Sequence, residues 1–511
     1  MVIQRASMTQ YEPVIGLEIH AELLTNSKMF CSCSAAYALA EQPNLNICPV
    51  CTGLPGAMPV VNGKAVEHAV SVGLALNCAI NEHNTFARKN YYYPDLPKGY
   101  QISQYELPIG EMGWLDLNPP LPAGEGPGVR VNASASEMPG SENQLRVRVR
   151  RVHIEEDTAK LAHEKKYALV DFNRAGVPLL EIVSEPDMQT VDQVLSYATQ
   201  IRAILRYLGV NSGDMEKGVL RFEANISVRP TGSEELRTRT EIKNLNSFRA
   251  LTRASAYEIE RQISVYEGGG TVIQETLGWD DGKGVTLSQR SKEHAHDYRY
   301  FPEPDLPPLQ LKREWIAQLR SRLPELPAAK KERFVGQYQL KHQEAIFLAA
   351  DKALADYFEE VVKASKSPAR TVNRWIAGEV MRHVNDLNLD PADIPIPPAS
   401  LAKLIDMVAS KSVNANAGKT ILSEMFRNGG DPEKIAMEKN LAQVSDEGYI
   451  QEIIAKILDE NPKEVDDYLA GKEAILQWLM GQVARATKGK ADPIMAREKL
   501  IKELQGRRKL P

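Results

Sequence analysis

The segment Val14-Ile-Gly-Leu-Glu-Ile-His-Ala-Glu-Leu23 carries an apolar side chain at nearly every second position. In a β-strand, successive side chains point to opposite faces, and neighbours on one face are about 7 Å apart. The segment therefore predicts a strand with one apolar face and with Glu18, His20 and Glu22 on the other face. Two carboxylates and an imidazole at that spacing suit a shared cation.

Four other segments have the same strand-like character: Val219 to Arg229, Arg237 to Lys243, His153 to Asp157, and Leu179 to Val183. The last two bring Glu155 and Glu181 into strand surroundings. An antiparallel sheet with one face in the core and one in water explains this alternation without any catalysis. The alternative is a sheet whose polar face carries a functional site.

The residue types on that polar face favour the second interpretation, a functional site, over a merely solvated face. Hard oxygen ligands with one imidazole suit Mg²⁺ or Mn²⁺, and nearby cations suit phosphate groups. Together they favour phosphoryl transfer over acyl hydrolysis. From their place in the alternation, Arg221 and Lys243 are predicted contacts for ATP or its phosphates. The sequence has no P-loop motif, so a bound nucleotide would be held in another way.

Four of the five cysteines form two close pairs, Cys31 with Cys33 and Cys48 with Cys51. Two such pairs are typical of a tetrahedral, all-cysteine zinc site, which is closed and structural. Such a site would staple the loop from Phe30 to Leu54. Buried free thiols are the alternative.

Length and composition indicate a multidomain globular protein. The chain has 511 residues, of which 43% are hydrophobic and 25% charged. A net charge of −5 excludes a protein that coats nucleic acid with a broad basic field. We expect no membrane span and no secretory signal, because long apolar runs are missing, and we therefore expect a cytoplasmic protein.

The pattern changes twice along the chain and predicts an α+β protein of three domains. Residues 1–308 are strand-rich, with a helix from Val191 to Leu208 that ends at Gly209, and they predict a large domain with a mixed or antiparallel sheet. Residues 309–440 have helical periodicity and predict an all-α domain. Residues 441–511 predict a small helical tail.

The tail is asymmetric in charge. Acidic residues dominate from Leu441 to Gln482, and basic residues dominate from Val483 to Pro511. A solvated helix face beside a basic end explains this distribution, and so does a local patch for nucleic acid.

Four longer strings resemble the B subunits of tRNA-dependent amidotransferases. They are Val14 to His20, Arg88 to Tyr91 with Gln101 to Gln104, Asp171 to Glu181, and Glu241 to Phe248. The resemblance runs from about Tyr11 to the C-terminus. It implies a glutamine-hydrolysing amidotransferase in which an amidase-type A subunit releases ammonia from glutamine and a small C subunit completes the complex.

The resemblance also implies the reaction. The B subunit would use ATP and Mg²⁺ to phosphorylate the side-chain carboxyl of Glu-tRNA(Gln), Asp-tRNA(Asn) or both, and ammonia would displace the phosphate. A catalytic cradle domain similar to the glutamine synthetase fold is implied. A zinc-stapled tRNA-binding factor without ATP-dependent chemistry is the alternative function.

The resemblance also implies the site residues. His20, Glu155 and Glu181 are the implied Mg²⁺ ligands, with Glu18 close by, and Lys98 is the implied lysine at the mouth of an ammonia channel. In the tail, the resemblance to a tRNA-binding module favours tRNA contacts from three basic residues: Lys488, Lys490 and Arg497. Zinc at the cysteines is implied to be scaffolding rather than part of the chemistry.

Overall fold

The computed structural model describes residues 10–117, 145–291, 298–441, 447–487, 491 and 493–507. The chain divides into two compact units, Met1–Lys331 with Ala349–Lys352, and Glu332–Leu348 with Ala353–Pro511. The three-domain division with boundaries after residues 308 and 440 stays a prediction.

All the strands of the described residues lie in the first unit. They are β1 (Tyr11–Glu22), β2 (Ala79–Ile80), β3 (His83–Asn84), β4 (Ala87–Asn90), β5 (Tyr100–Ser103), β6 (Gly110–Asp116), β7 (Arg146–Glu156), β8 (Lys160–His163), β9 (Ala168–Asp171), β10 (Pro178–Ser184), β11 (Leu220–Pro230), β12 (Thr240–Leu245), β13 (Glu275–Asp280), β14 (Val285–Ser291), β15 (Phe301–Pro302) and β16 (Leu309–Gln310).

Nine of these strands form one sheet, in the order β14-β13-β12-β11-β1-β10-β7-β6-β2. Neighbours are antiparallel except for the parallel pair β12 and β13. The strand β1 lies in the middle of the sheet, and one of its faces is in the core. Burial of that one face explains the alternation. Ile15, Leu17 and Ile19 are at most 1% exposed on its apolar face.

The helices are α1 (Gly63–Ala75), α2 (Val191–Tyr207), α3 (Phe248–Glu267), α4 (Arg313–Arg322), α5 (Pro327–Tyr338), α6 (His342–Ala349), α7 (Lys352–Ala364), α8 (Ala369–Arg374), α9 (Met381–Asp386), α10 (Pro398–Ala409), α11 (Ala415–Asn428), α12 (Pro432–Glu438), α13 (Glu447–Glu460), α14 (Pro462–Leu469), α15 (Ala474–Ala486) and α16 (Pro493–Arg507). A π-helical segment, Trp375–Val380, joins α8 to α9.

Helices cover the apolar face of the sheet. Side chains of α1, α2 and α3 share one buried cluster with the apolar residues of β1 and β11. The predicted helix at Val191 is confirmed, and Thr190 forms a capping box with Gln193 at its start. With the apolar face covered in this way, a functional site is left to the polar face.

The second unit is helical throughout its described residues, as its periodicity predicts. In α7, Leu354, Phe358 and Val361 form the buried stripe. The last helices have an apolar cluster of their own, in which Ile454 of α13 packs with residues of α15 and α16 such as Leu479. No described helix is long and apolar enough to span a membrane.

Candidate active site

The polar face of β1 forms the floor of the site. His20 lies opposite Glu181 of β10 on one side and opposite Arg221 of β11 on the other. Glu155 comes from β7, the next strand beyond β10. Residues that are far apart in sequence are thus brought together by strand pairing.

His20, Glu155 and Glu181 each offer a ligand atom, and these atoms lie within 4.8 Å of one another. The distance from His20 Nε2 to Glu181 Oε2 is 3.5 Å. The side chains of Glu155 and Glu181 are only 3% and 8% exposed, so this part of the sheet is not an open, solvated face. One imidazole and two carboxylates in so small a space suit a Mg²⁺ or Mn²⁺ ion.

His153 completes the group and was not singled out by the sequence. Its Nε2 atom lies 3.3 Å from Glu181 and 4.0 Å from Glu155. Ser103 of β5 donates a hydrogen bond to Glu155 over 3.1 Å. The sequence did carry a signal for His153, because it stands two residues before Glu155 in a strand and therefore on the same face.

The electrostatics keep the central carboxylate charged. Burial by itself would raise the pKa of Glu181, but His153 and His20 hold it well below its ordinary value. Burial would lower the pKa of His20, yet the hydrogen bond and charge of Glu181 raise it to about 9. Burial would likewise lower the pKa of Lys89, but the neighbouring Glu155 and other groups raise it. The His20 group thus consists of buried acidic and basic side chains that stabilise one another's charges.

A second group of acids lies on the same face. Glu18, Glu223 and Glu241 offer ligand atoms within 4.8 Å of one another, while the charge of Glu181 in the His20 group also acts on Glu18. Burial raises the pKa of Glu18, and the neighbouring carboxylates raise it further. Lys243 bridges this group, 2.6 Å from Glu223 and 3.0 Å from Glu241. The three carboxylates can hold a divalent cation; in the structure two of them, Glu223 and Glu241, pair with the Lys243 ammonium.

Arg221 lies on the other side of His20. Its guanidinium is 2.8 Å from Asp157, which is 4% exposed. Burial by itself would raise the pKa of Asp157, but the charges of Arg221 and Arg174 lower it. Both predicted phosphate contacts, Arg221 and Lys243, are therefore paired with acids in the structure.

Lys98 lies beside the last residues of β7, where its ammonium pairs with Glu156. It also lines a cleft of about 480 Å³ together with the segment from Tyr92 to Pro97. Tyr92, Tyr93 and Lys98 therefore line a cleft beside the end of β7.

The four clustered cysteines lie together, and their sulfur atoms are within 4.8 Å of one another. The donor set fits a tetrahedral zinc ion. Cys51 is buried, and its pKa is lowered to about 5 by a hydrogen bond from Cys31, with the charge of Lys28 contributing. The fifth cysteine, Cys78, lies outside this group.

The predicted tRNA contacts in the tail are only partly described. Arg497 is exposed on α16. Lys488 and Lys490 lie outside the described residues.

Two protein-family models match most of the chain. Residues 13–317 match the GatB/GatE catalytic domain, and residues 356–504 match the GatB domain. The chain therefore belongs to the class of proteins built on the GatB/GatE catalytic domain.

Full-length relatives narrow the class. Proteins named as the B subunit of aspartyl/glutamyl-tRNA(Asn/Gln) amidotransferase are 47% identical in Caldicellulosiruptor saccharolyticus, 46% in Carboxydothermus hydrogenoformans and 48% in Herpetosiphon aurantiacus. Each match covers 97% of this chain and 99% or 100% of the relative. The chain is a member of the family of aspartyl/glutamyl-tRNA(Asn/Gln) amidotransferase B subunits.

Proposed function

We propose that this chain activates the side-chain carboxyl of Glu-tRNA(Gln), Asp-tRNA(Asn) or both with ATP, and that ammonia then converts the activated carboxyl to an amide. The relatives are named for this class of reaction on tRNA(Asn) and tRNA(Gln). The observation that carries the proposal is the compact group of His20, Glu155 and Glu181 on the sheet.

The reaction needs activation because a carboxylate has no leaving group. A side-chain oxygen attacks the γ-phosphorus of ATP, ADP leaves, and an acyl phosphate forms. Ammonia attacks the carbonyl carbon and phosphate leaves with the original carboxylate oxygen. Phosphoryl transfer depends mainly on positioning and charge stabilisation, which a set of fixed charged groups can supply.

The residues of the site have distinct roles in this proposal. His20, Glu155 and Glu181 would hold Mg²⁺, which when bound neutralises charge on the phosphate oxygens. His153 and Ser103 orient the two carboxylates, at 3.3 Å from Glu181 and 3.1 Å from Glu155. Ligands held by such outer hydrogen bonds keep their geometry when the substrate arrives.

The flanking cations are proposed to contact ATP. Arg221 and Lys243 point from β11 and β12 toward the same face, and each now pairs with a carboxylate. Binding of phosphate groups would require them to exchange those partners. Glu18, with Glu223 and Glu241, is a second place on this face for a divalent cation.

Ammonia is proposed to come from the glutaminase A subunit, in a complex that also contains a small C subunit. Lys98, in its cleft beside Tyr92 and Tyr93, is the proposed mouth of the route. Its ammonium pairs with Glu156 at the end of β7, the strand that also carries the ligand Glu155.

Other parts of the proposal concern scaffold and substrate. A zinc ion at the four cysteines would staple the loop from Phe30 to Leu54. The helical tail, through Lys488, Lys490 and Arg497, would bind the tRNA. The likeness of the sheet domain to glutamine synthetase and a cytoplasmic location are also proposals.

The test measures phosphate release by the complex of A, B and C subunits. We expect release only when ATP, Mg²⁺ and a mischarged tRNA are all present, since the tRNA-borne carboxylate is the phosphoryl acceptor. Binding of the mischarged tRNA with no ATP consumption under any condition would favour the alternative, a zinc-stapled tRNA-binding factor.

A further inference from the structure

Lys28 is an unusual residue in the first unit because it is a lysine with 0% of its surface exposed. It follows β1 and precedes the first cysteine pair. Burying an ammonium group is costly unless an opposite charge and hydrogen bonds compensate it. Its surroundings therefore have to supply both.

Three hydrogen-bond acceptors surround the Lys28 ammonium. Nζ donates to the carbonyl oxygen of Asn46 over 2.7 Å, to the carbonyl oxygen of Phe172 over 3.4 Å, and to the sulfur of Cys51 over 3.7 Å. Among these partners only the Cys51 sulfur can carry a full negative charge. The compensation therefore points to a Cys51 thiolate.

The cysteine cluster in turn needs a positive charge nearby. Four thiolates around Zn²⁺ carry a net charge of about −2, and Cys51, the buried member of the four, is the ligand whose charge water can balance least. The Lys28 ammonium is in position to balance part of it.

Lys28 also joins the cluster to the catalytic sheet. Phe172 lies in the turn between β9 and β10, the strand of Glu181. The neighbouring Met29 donates its backbone N–H to Gly176 in that turn over 2.7 Å. A side chain at Gly176 would begin 3.3 Å from Cys51 Cβ and 3.5 Å from Lys28 Cδ, so the turn packs directly against the pair.

We propose that Lys28 is a positioning residue for the cysteine cluster: its buried ammonium balances the charge of zinc-bound Cys51 and ties that ligand to the turn that leads into β10. This inference rests on the zinc site of the proposed function. It assigns Lys28 no part in the chemistry of ATP or tRNA.

The test compares Lys28→Met, Lys28→Gln and Lys28→Arg in the full chain, with Lys64→Met as a matched control. Lys64 is an exposed lysine at the start of α1, paired with Glu67. Zinc affinity is measured by competition with a chelator. The sulfur-to-metal charge-transfer band is recorded after replacing zinc with Co²⁺.

We expect the zinc dissociation constant to rise about 10- to 100-fold in the Met and Gln variants, as for other residues that support metal ligands. Lys28→Arg keeps the charge and should stay within about threefold of wild type. The cobalt band should move to longer wavelength in the neutral variants alone, because loss of a nearby positive charge makes the sulfur easier to oxidise. A role in packing alone would not move the band.

The proposal is overturned if the neutral variants match Lys64→Met in affinity and band position, or if Lys28→Arg loses as much affinity as Lys28→Gln. Should Lys28→Met not fold, the comparison of Gln with Arg decides. Should neither neutral variant fold, Lys28→Arg decides: wild-type zinc affinity and band position beside two unfolded neutral variants support the charge role, and lost affinity or a shifted band overturns it. These readouts use neither ATP nor tRNA, so they are independent of amidotransferase activity.

Discussion

His20 and Glu181 face each other across the antiparallel strands β1 and β10, with 3.5 Å between Nε2 and Oε2. A slip of one residue in this pairing would turn one of the two side chains to the apolar face. The buried Ile19 and Ile182, which also pair across these strands, prevent such a slip. The register that buries the core therefore also assembles the site.

Replacing Glu181 with glutamine should abolish the activity while leaving tRNA binding intact. The substitution keeps the shape of the side chain but removes the charge between His20 and His153. We expect ATP-dependent amidation to fall by at least about 100-fold, since a lost metal ligand costs several kcal/mol of transition-state stabilisation. Amidation of mischarged tRNA and its binding to the complex are the two measurements.

Glu185→Gln is the control for this experiment. Glu185 follows the end of β10 and pairs with the exposed Arg150 at 2.8 Å, outside the His20 group. Its variant should keep wild-type activity. Amidation at the wild-type rate by Glu181→Gln would remove that residue from the site.

His153→Gln should change the demand for Mg²⁺ rather than the binding of tRNA. His153 is 2% exposed, and its Nε2 atom, 3.3 Å from Glu181, orients that carboxylate. We expect the Mg²⁺ concentration for half-maximal activity to rise about 10- to 100-fold, with activity partly restored at high Mg²⁺. The control His163→Gln, on an exposed position of β8, should leave the Mg²⁺ titration unchanged. An unchanged titration in His153→Gln would mean that His153 only fills space.

Local patterns in the sequence predicted the strands β1, β7, β10 and β11 and the later part of the segment Arg237 to Lys243, where β12 begins at Thr240. The family resemblance, rather than any local pattern, implied His20, Glu155 and Glu181 as ligands. The alternation of Val14 to Leu23 is local and confirmed, because burial of one face leaves a period of two. What local patterns do not contain is the pairing between distant strands. Glu18 therefore joins Glu223 and Glu241, and Arg221 meets Asp157, in ways that depend on strand order alone.

Two more features of the site depend on packing across long distances. The role of His153 becomes clear only when β7 lies next to β10. The sequence shows only that His153 and Glu155 are two residues apart and therefore share one face of the strand. The burial of Lys28 depends on the turn at Phe172, which is 144 residues away in the chain. No local pattern distinguishes such a lysine from one on the surface.

The cysteine cluster should bind one zinc ion per chain. Changing Cys48 to serine removes one of the four sulfur ligands, and we expect zinc affinity to fall by about 100-fold or more because thiolate is the stronger ligand. Metal content after dialysis against a weak chelator is the measurement. Cys78→Ser, outside the cluster, should retain its zinc. Equal metal content in the two variants would refute the site.

The exposed Arg497 should contribute to tRNA affinity through a phosphate contact. For Arg497→Gln we expect tRNA binding to weaken by about three- to tenfold and the salt dependence to lose about one unit of slope. The control is Lys472→Gln in the acidic half of the tail, where Lys472 pairs with Asp467 at 2.8 Å. If Arg497→Gln and the control bind tRNA alike at every salt concentration, this arginine makes no contact.

The most direct measurement follows the oxygen atoms of the side-chain carboxylate. A mischarged tRNA whose glutamate or aspartate carries ¹⁸O at both oxygens of that carboxylate is amidated by the complex with unlabelled ATP and water. Activation by phosphoryl transfer predicts that each phosphate released with product carries one ¹⁸O atom. Phosphate that contains no ¹⁸O would show that ATP is cleaved by water, and it would contradict the proposed activation of the carboxyl.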